Sequence, residues 1–83
     1  MVEIYTKDYC PYCKSAKELL DTLKVEYKEY DITSTPEKME ELSKKSGMMT
    51  VPQIFVGDKC LGGFSDIDAL HKEGKLEDML KGE

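Results

Sequence analysis

Apolar positions in this chain change their spacing several times, and each change marks an element. Val2, Ile4 and Tyr5, set among Glu3 and Thr6, form a short run rich in β-branched and aromatic residues, which predicts a strand over 2–6. From 12 to 24 the period shifts: Ala16, Leu19, Leu20 and Leu23 recur three and four apart, the stripe of an amphipathic helix. Val25 and Tyr27 then alternate with Glu26 and Lys28, so a second strand is expected over 25–32. Thr35-Pro36-Glu37 combines a capping hydroxyl, a first-turn proline and an acid, opening a helix that turns Met39 and Leu42 inward and stops near Gly47. Gln53-Ile54-Phe55-Val56 reads as a third strand, joined through Gly57-Asp58 to a short fourth at 59–61. Gly62-Gly63-Phe64 is a loop. Ser65 with Asp68 reads as a capping box for a helix to about residue 72, and Leu76, Met79 and Leu80 supply a last amphipathic turn or two.

The predicted order is β-α-β, α, β-β-α plus a terminal helix, an α/β arrangement without repeats or linkers. An opening β-α-β unit makes its two strands parallel, and the later hairpin makes the last pair antiparallel. Helices then cover both faces of one four-stranded mixed sheet. The 83 residues suit a single domain, 1–83, with one modest core. Ligands of such sheets gather beyond the carboxyl ends of the parallel strands. That is where Cys10 falls.

Charge narrows the choice of partner. The formal net charge is −5 and every basic residue is lysine, twelve in all, with no arginine. Nucleic acid is an unsuitable partner, because phosphate contacts dominate that affinity. No run of about 18 apolar residues exists, so no membrane span is expected. The opening Met1-Val2-Glu3-Ile4 lacks a basic-then-apolar signal, and an odd count of three cysteines argues against a secreted disulfide scaffold, so the expected compartment is the cytoplasm.

Three short stretches carry chemistry. Cys10-Pro11-Tyr12-Cys13 stands between the first strand and the first helix. A sulfur at a helix N-terminus faces unpaired N–H groups and aligned peptide dipoles, which favour the thiolate that attacks disulfides. Pro11 lies where a helix tolerates proline, and Cys13 is one turn on, within reach of a disulfide with Cys10. The alternative meaning of such a pair, half a zinc site, would have to recruit Cys60 and His71, neither of which belongs to a second close pair; no metal site is expected. Val51-Pro52 enters the third strand, a position that by itself asks for nothing beyond a strand boundary. Gly62-Gly63-Phe64-Ser65-Asp66 offers close backbone approach and a helix start suited to a carboxylate.

Together Cys10-Pro11-Tyr12-Cys13, Thr50-Val51-Pro52 and Gly62-Gly63-Phe64-Ser65-Asp66, at these separations, closely resemble the dithiol glutaredoxins, and the likeness covers nearly the whole chain, including Lys7 three residues before the first cysteine. The resemblance implies a thioredoxin fold, a cis bond at Pro52, and glutathione as co-substrate, with no permanently bound cofactor. It implies Cys10 and Cys13 as catalytic residues. It places the glutathione cysteine in strand-like pairing with Val51, and its γ-glutamyl carboxylate at the N–H groups of Ser65 and Asp66, with Asp66 facing the ammonium. The glycine carboxylate falls near Lys7, with Gln53 or a lysine of the second helix as possible helpers and Tyr12 a wall. Thr50, Pro52, Gly63 and Phe64 complete the expected glutathione site. Partners implied are glutathione and glutathionylated or disulfide-containing proteins, met as a monomer.

One departure stands out. Many family members place arginine or lysine just before the Thr-Val-Pro, where this chain has Met48 and Met49. Loss of a cation there is expected to weaken glutathione binding by up to about tenfold. Cys13 is expected to hold its proton, lying inside the first helical turn. Cys60 is expected to fill space in its strand, and His71 to sit on the surface. Two other readings remain open at this point: an iron–sulfur carrier built from two chains and two glutathiones, and a redoxin served by thioredoxin reductase.

Overall fold

The computed structural model describes residues 2–81. Eight elements follow in chain order: β1 (Val2–Thr6), α1 (Pro11–Thr22), β2 (Tyr27–Asp31), α2 (Pro36–Ser46), β3 (Gln53–Val56), β4 (Lys59–Gly62), α3 (Phe64–Lys72) and α4 (Leu76–Lys81). The sheet order is β2-β1-β3-β4. β1 runs parallel to β2, antiparallel to β3, and β3 and β4 pair antiparallel. The expected four-stranded mixed sheet is therefore present, with its opening parallel pair and closing hairpin.

Side-chain alternation divides the interior between two faces. Val2 and Ile4 of β1, with Ile54 and Val56 of β3 and Leu61 of β4, pack on Ala16 and Leu20 of α1, Ile67 of α3, and Leu76 and Leu80 of α4. Tyr5 and Phe55 point the other way, onto Ile32 and the Met39 and Leu42 of α2. Three helices thus cover one face and one helix the other. Tyr5 stacks on Tyr30 at 5.0 Å and meets Phe55 edge-on at 5.6 Å, so an aromatic row crosses the α2 face.

Three boundaries differ from the sequence reading, each for a local reason. The second strand is shorter than 25–32. Lys24 adopts a left-handed φ of 59°, and the N–H groups of Lys24 and Val25 return to the carbonyls of Asp21 and Leu20, so these residues finish α1 rather than begin β2. Thr35 caps α2 without its hydroxyl; its backbone carbonyl accepts from Lys38 N–H instead. The capping box also moves. Helix α3 starts at Phe64 with Gly63 as cap, and Asp66, not Asp68, reaches back to accept the Gly63 N–H at 2.9 Å. Asp68 pairs with Lys72 at 3.1 Å on the surface.

Candidate functional site

The carboxyl end of β1 delivers the chain, through residues 7–9, to Cys10 at the N-cap of α1. Cys10 keeps extended backbone angles, and its sulfur accepts the Cys13 N–H at 3.2 Å. That is a capping bond made by sulfur: the second thiol's own amide serves the first thiol, because three-residue spacing puts N3 of the helix over its cap. Pro11 occupies the first helical position, where its missing N–H removes no helical bond. The Cys10 thiol donates to the Val51 carbonyl at 3.5 Å, which ties the helix start to the loop before β3.

Cys13 is buried, at 2% exposure, while Cys10 is half-buried. Burial, reinforced by a hydrogen bond with Cys10 and opposed by one to the Lys7 backbone, pushes the Cys13 thiol up to about 12. This agrees with the raised pKa expected of Cys13 inside the first helical turn. Burial also pushes up the Cys60 thiol, with a hydrogen bond to the Gly62 backbone opposing. Cys60 packs beside Val51 against the Tyr5–Phe55 cluster, as a strand filler would.

The Val51–Pro52 bond is cis. Beneath this loop lies Gln53, wholly buried, whose Nε2 donates to the carbonyls of Thr50 at 2.9 Å and Met48 at 3.2 Å. The side chain reading of Gln53 as a helper for a ligand carboxylate therefore changes. Its amide points inward and is spent on the loop, so it shapes the site from below.

A groove of about 400 Å³ opens beside the thiols, lined by Tyr12, Met48, Thr50, Val51, Pro52, Gly63, Phe64, Ser65 and Asp66. Seven of the residues singled out from sequence stand together here with Tyr12 as their eighth; Lys7 and Gln53 do not. Lys7 carries its ammonium 5.9 Å from the Tyr9 ring centroid instead. Tyr12, 63% exposed, lies across from Phe64 with ring centroids 6.2 Å apart and planes 27° apart, making one wall. Met48 is a groove residue that the sequence reading had noted only as a missing cation, while Met49, 69% exposed, stands outside the lining. A larger cleft of about 520 Å³ runs along Val25, Glu26, Tyr27 and Lys28, and contains none of the expected site residues. Among the described residues no group of three or more His, Cys, Asp or Glu side chains gathers into a metal-binding set. No helix there is long and apolar enough to cross a membrane.

A cysteine pair on the helix after the first strand, facing a proline-bearing loop in a sheet of this order, defines a dithiol redox protein of thioredoxin fold. Comparison with known proteins makes the class narrower. The glutaredoxin family model matches residues 2–61. Glutaredoxin 3 of Escherichia coli K12 is 48% identical over 80 residues, covering 96% of each chain, and the glutaredoxin of Pseudomonas aeruginosa PAO1 is 44% identical over 79 residues, covering 95% of this chain and 94% of that one. A crystal structure of a buckwheat glutaredoxin–glutathione complex superposes with a TM-score of 0.89 at 31% identity, over 98% of this chain and 76% of that one. The solution structure of glutaredoxin from Brucella melitensis does so at 0.86 and 48%, over 96% and 87%. The chain belongs to the glutaredoxin family, whose general role is that of a glutathione-dependent thiol oxidoreductase.

Proposed function

We propose that this chain reduces glutathione mixed disulfides through Cys10 alone, and protein disulfides through Cys10 and Cys13 together. The observation that carries the reading is the Cys10 sulfur itself. It caps α1, takes the Cys13 N–H, and touches the Val51 carbonyl on the rim of a groove that ends at the start of α3.

In the first mode the Cys10 thiolate attacks the glutathione sulfur of a mixed disulfide. The substrate S–S bond breaks, a Cys10–glutathione bond forms, and the substrate leaves as a thiolate that takes a proton from solvent. A second glutathione thiolate then attacks the adduct, releasing oxidised glutathione and restoring Cys10; the disulfide bond has passed from the substrate to glutathione, and one free glutathione is consumed. In the second mode Cys10 attacks a protein disulfide and Cys13 displaces the substrate, closing Cys10–Cys13, which two glutathiones reopen. Burial of Cys13 delays this second attack until its proton is removed, and so gives glutathione time to compete for the adduct.

The groove supports a placement for the tripeptide. Val51 presents backbone groups beside Cys10, and Tyr12 with Phe64 offers an aromatic wall. The N–H groups of Ser65 and Asp66 head α3, where backbone dipoles favour a carboxylate, and Asp66 suits the ligand ammonium. That a buckwheat relative is described as a glutathione complex supports the same ligand.

The test is turnover of a small glutathione mixed disulfide, coupled to glutathione and its NADPH-dependent reductase, on both cysteine variants. Cys10→Ser should lose all activity, since a hydroxyl is not a usable nucleophile at neutral pH. Cys13→Ser should retain this activity and lose reduction of protein disulfides. Equal loss in both variants on the small substrate overturns the division of roles.

A further inference from the structure

Away from the groove, one polar cluster joins the helix that carries the buried thiol to the edge of the sheet. Alternation puts Ile4 and Thr6 of β1, with Tyr27, Glu29 and Asp31 of β2, on the α1 side. Thr6 is buried, and its hydroxyl donates to Glu29 Oε2 at 2.8 Å. The same oxygen accepts from Lys17 Nζ at 3.0 Å. A single carboxylate oxygen therefore ties together the end of β1, the edge strand β2 and the middle of α1. The Lys17 and Glu29 side chains are 32% and 35% exposed, so solvent screens this pair less than it would a pair standing free on the surface.

Lys17 follows Cys13 by four residues on α1, a spacing that sets two side chains on one face with Cβ atoms about 5–6 Å apart. Anchoring by Glu29 restricts a side chain that would otherwise sample many rotamers. The charges around Cys13 can be named. Burial comes first in raising its pKa, and the Cys10 hydrogen bond and charge add to it; the Lys7 backbone and the Lys17 ammonium oppose. Asp31 feels the same ammonium, its carboxyl held low first by bonds from Thr33 and also by Lys17. Once Cys10 is joined to a substrate sulfur it carries no charge, so its opposition falls away while that of Lys17 to burial persists.

Resting on the dithiol reading above, we propose that Lys17, fixed by Glu29 and Thr6, is a positioning residue that acts through Cys13 and sets the speed of the dithiol mode. It favours the Cys13 thiolate in the two steps that form one. In closure, Cys13 gives its proton to solvent and its thiolate attacks the Cys10 sulfur; the Cys10–substrate bond breaks, and the substrate leaves as a thiolate. In reopening, a glutathione thiolate attacks the Cys10 sulfur and the Cys10–Cys13 bond breaks. Its electron pair passes to Cys13, which then takes a proton from solvent. Exchange by Cys10 alone forms no Cys13 anion and does not draw on Lys17.

The experiment mixes the reduced full chain with excess oxidised glutathione and quenches it in acid at successive times. Peptide mapping by mass follows the Cys10–glutathione adduct and then the Cys10–Cys13 disulfide, across about pH 6 to 10. The readout is the rate of closure divided by the rate of adduct formation in the same variant. Lys17→Met, which keeps the length of the stem, should lower this ratio about two- to fivefold, because loss of thiolate outweighs the gain in nucleophilicity that a higher pKa brings. Its closure profile should also move to higher pH, since removing the cation raises the Cys13 pKa. Lys17→Arg should restore most of the ratio. Lys14→Met, which removes an exposed lysine next to Cys13 and off its face, should leave it as in the wild type. An unchanged ratio and profile in Lys17→Met, no rescue by arginine, or an equal drop in Lys14→Met overturns the role of Lys17 and leaves the dithiol mode standing. If the wild type forms no Cys10 adduct, or forms one that never closes, the functional reading itself falls.

Discussion

Gly62 and Asp66 share space that no side chain at position 62 could enter. Gly62 holds φ at 109°, and a Cβ built there overlaps the Asp66 carboxylate, whose Oδ2 is already engaged by Gly63 N–H. A bulge between Ile54 and Phe55 in the β3–β4 register brings this about, pairing Ile54 with Gly62 and Phe55 with Cys60. Fold and groove meet at this point, since the residue displaced by a larger side chain is the groove's one charged member.

Gly62→Ala should therefore cost more than its backbone angle alone. Gly47, the C-cap of α2, also has a positive φ, 76°, but nothing lies within 4 Å of a Cβ placed there. Gly47→Ala should lose about 1–2 kcal/mol from conformation alone. Gly62→Ala should lose about 2–4 kcal/mol, because the Asp66 carboxylate must also move. Urea unfolding of both variants measures the difference. Only Gly62→Ala should raise KM for a glutathione mixed disulfide; matching effects at the two glycines would show that Asp66 does not feel position 62.

Gln53 holds the proline loop from inside. Its Nε2 bonds to the Thr50 and Met48 carbonyls, and the side chain is fully buried. Gln53→Leu keeps the volume but leaves both carbonyls without that donor. A loss of about 1–3 kcal/mol in stability is expected. Amide exchange should speed up over residues 48–51 before it does in β1. If exchange in that loop is unchanged while stability falls, the amide supports the core and not the groove.

Cys13 gives a pH signature in the reduced protein. Its thiol is raised from an ordinary 9.0 to about 12, chiefly by burial. The unfolded chain therefore releases this proton at lower pH than the folded one. Stability from this group is whole below about pH 9 and is lost as pH rises towards 12. Tyr5, Tyr27 and Cys60 are also raised, chiefly by burial. Subtraction isolates Cys13: the reduced wild type should lose stability more steeply between pH 9 and 11 than Cys13→Ser, in parallel urea titrations. Identical slopes would place the thiol in a far wetter setting than its 2% exposure suggests.

How much of this was legible beforehand depended on whether a feature is local. The order of strands and helices follows from changes of period, and the Cys10–Cys13 pair and the Thr50-Val51-Pro52 and Gly63–Asp66 stretches declared themselves as short motifs. Gln53 did not. In a central strand with both faces covered, all four residues of β3 are buried, so alternation gives no sign of which way a polar side chain turns. Asp66 was read as a ligand group and Asp68 as the cap partner, because choosing between them requires the left-handed Gly62 and the bulge behind it. The positions of the Met48 and Lys7 side chains are not legible in sequence for one shared reason: where a long side chain lies is decided by its surroundings in the fold. Met48 runs to Gly63, and Lys7 lies over Tyr9.

Tyr12 tests whether the aromatic wall serves binding alone. Its ring is mostly exposed, and its aromatic neighbour in the wall is Phe64. An exposed residue in the first turn of α1 contributes little to the core, so Tyr12→Ala should change stability by less than about 0.5 kcal/mol. On the proposed placement of glutathione the wall is met in ground state and transition state alike, which predicts a higher KM with kcat nearly preserved. A rise of about three- to tenfold is expected, the worth of one partly solvated aromatic contact. Tyr12→Phe should behave as wild type, since the hydroxyl makes no bond in the groove's construction. If Tyr12→Ala instead lowers kcat at constant KM, the ring acts on the sulfur exchange itself, and the groove's wall must be assigned to Phe64 alone.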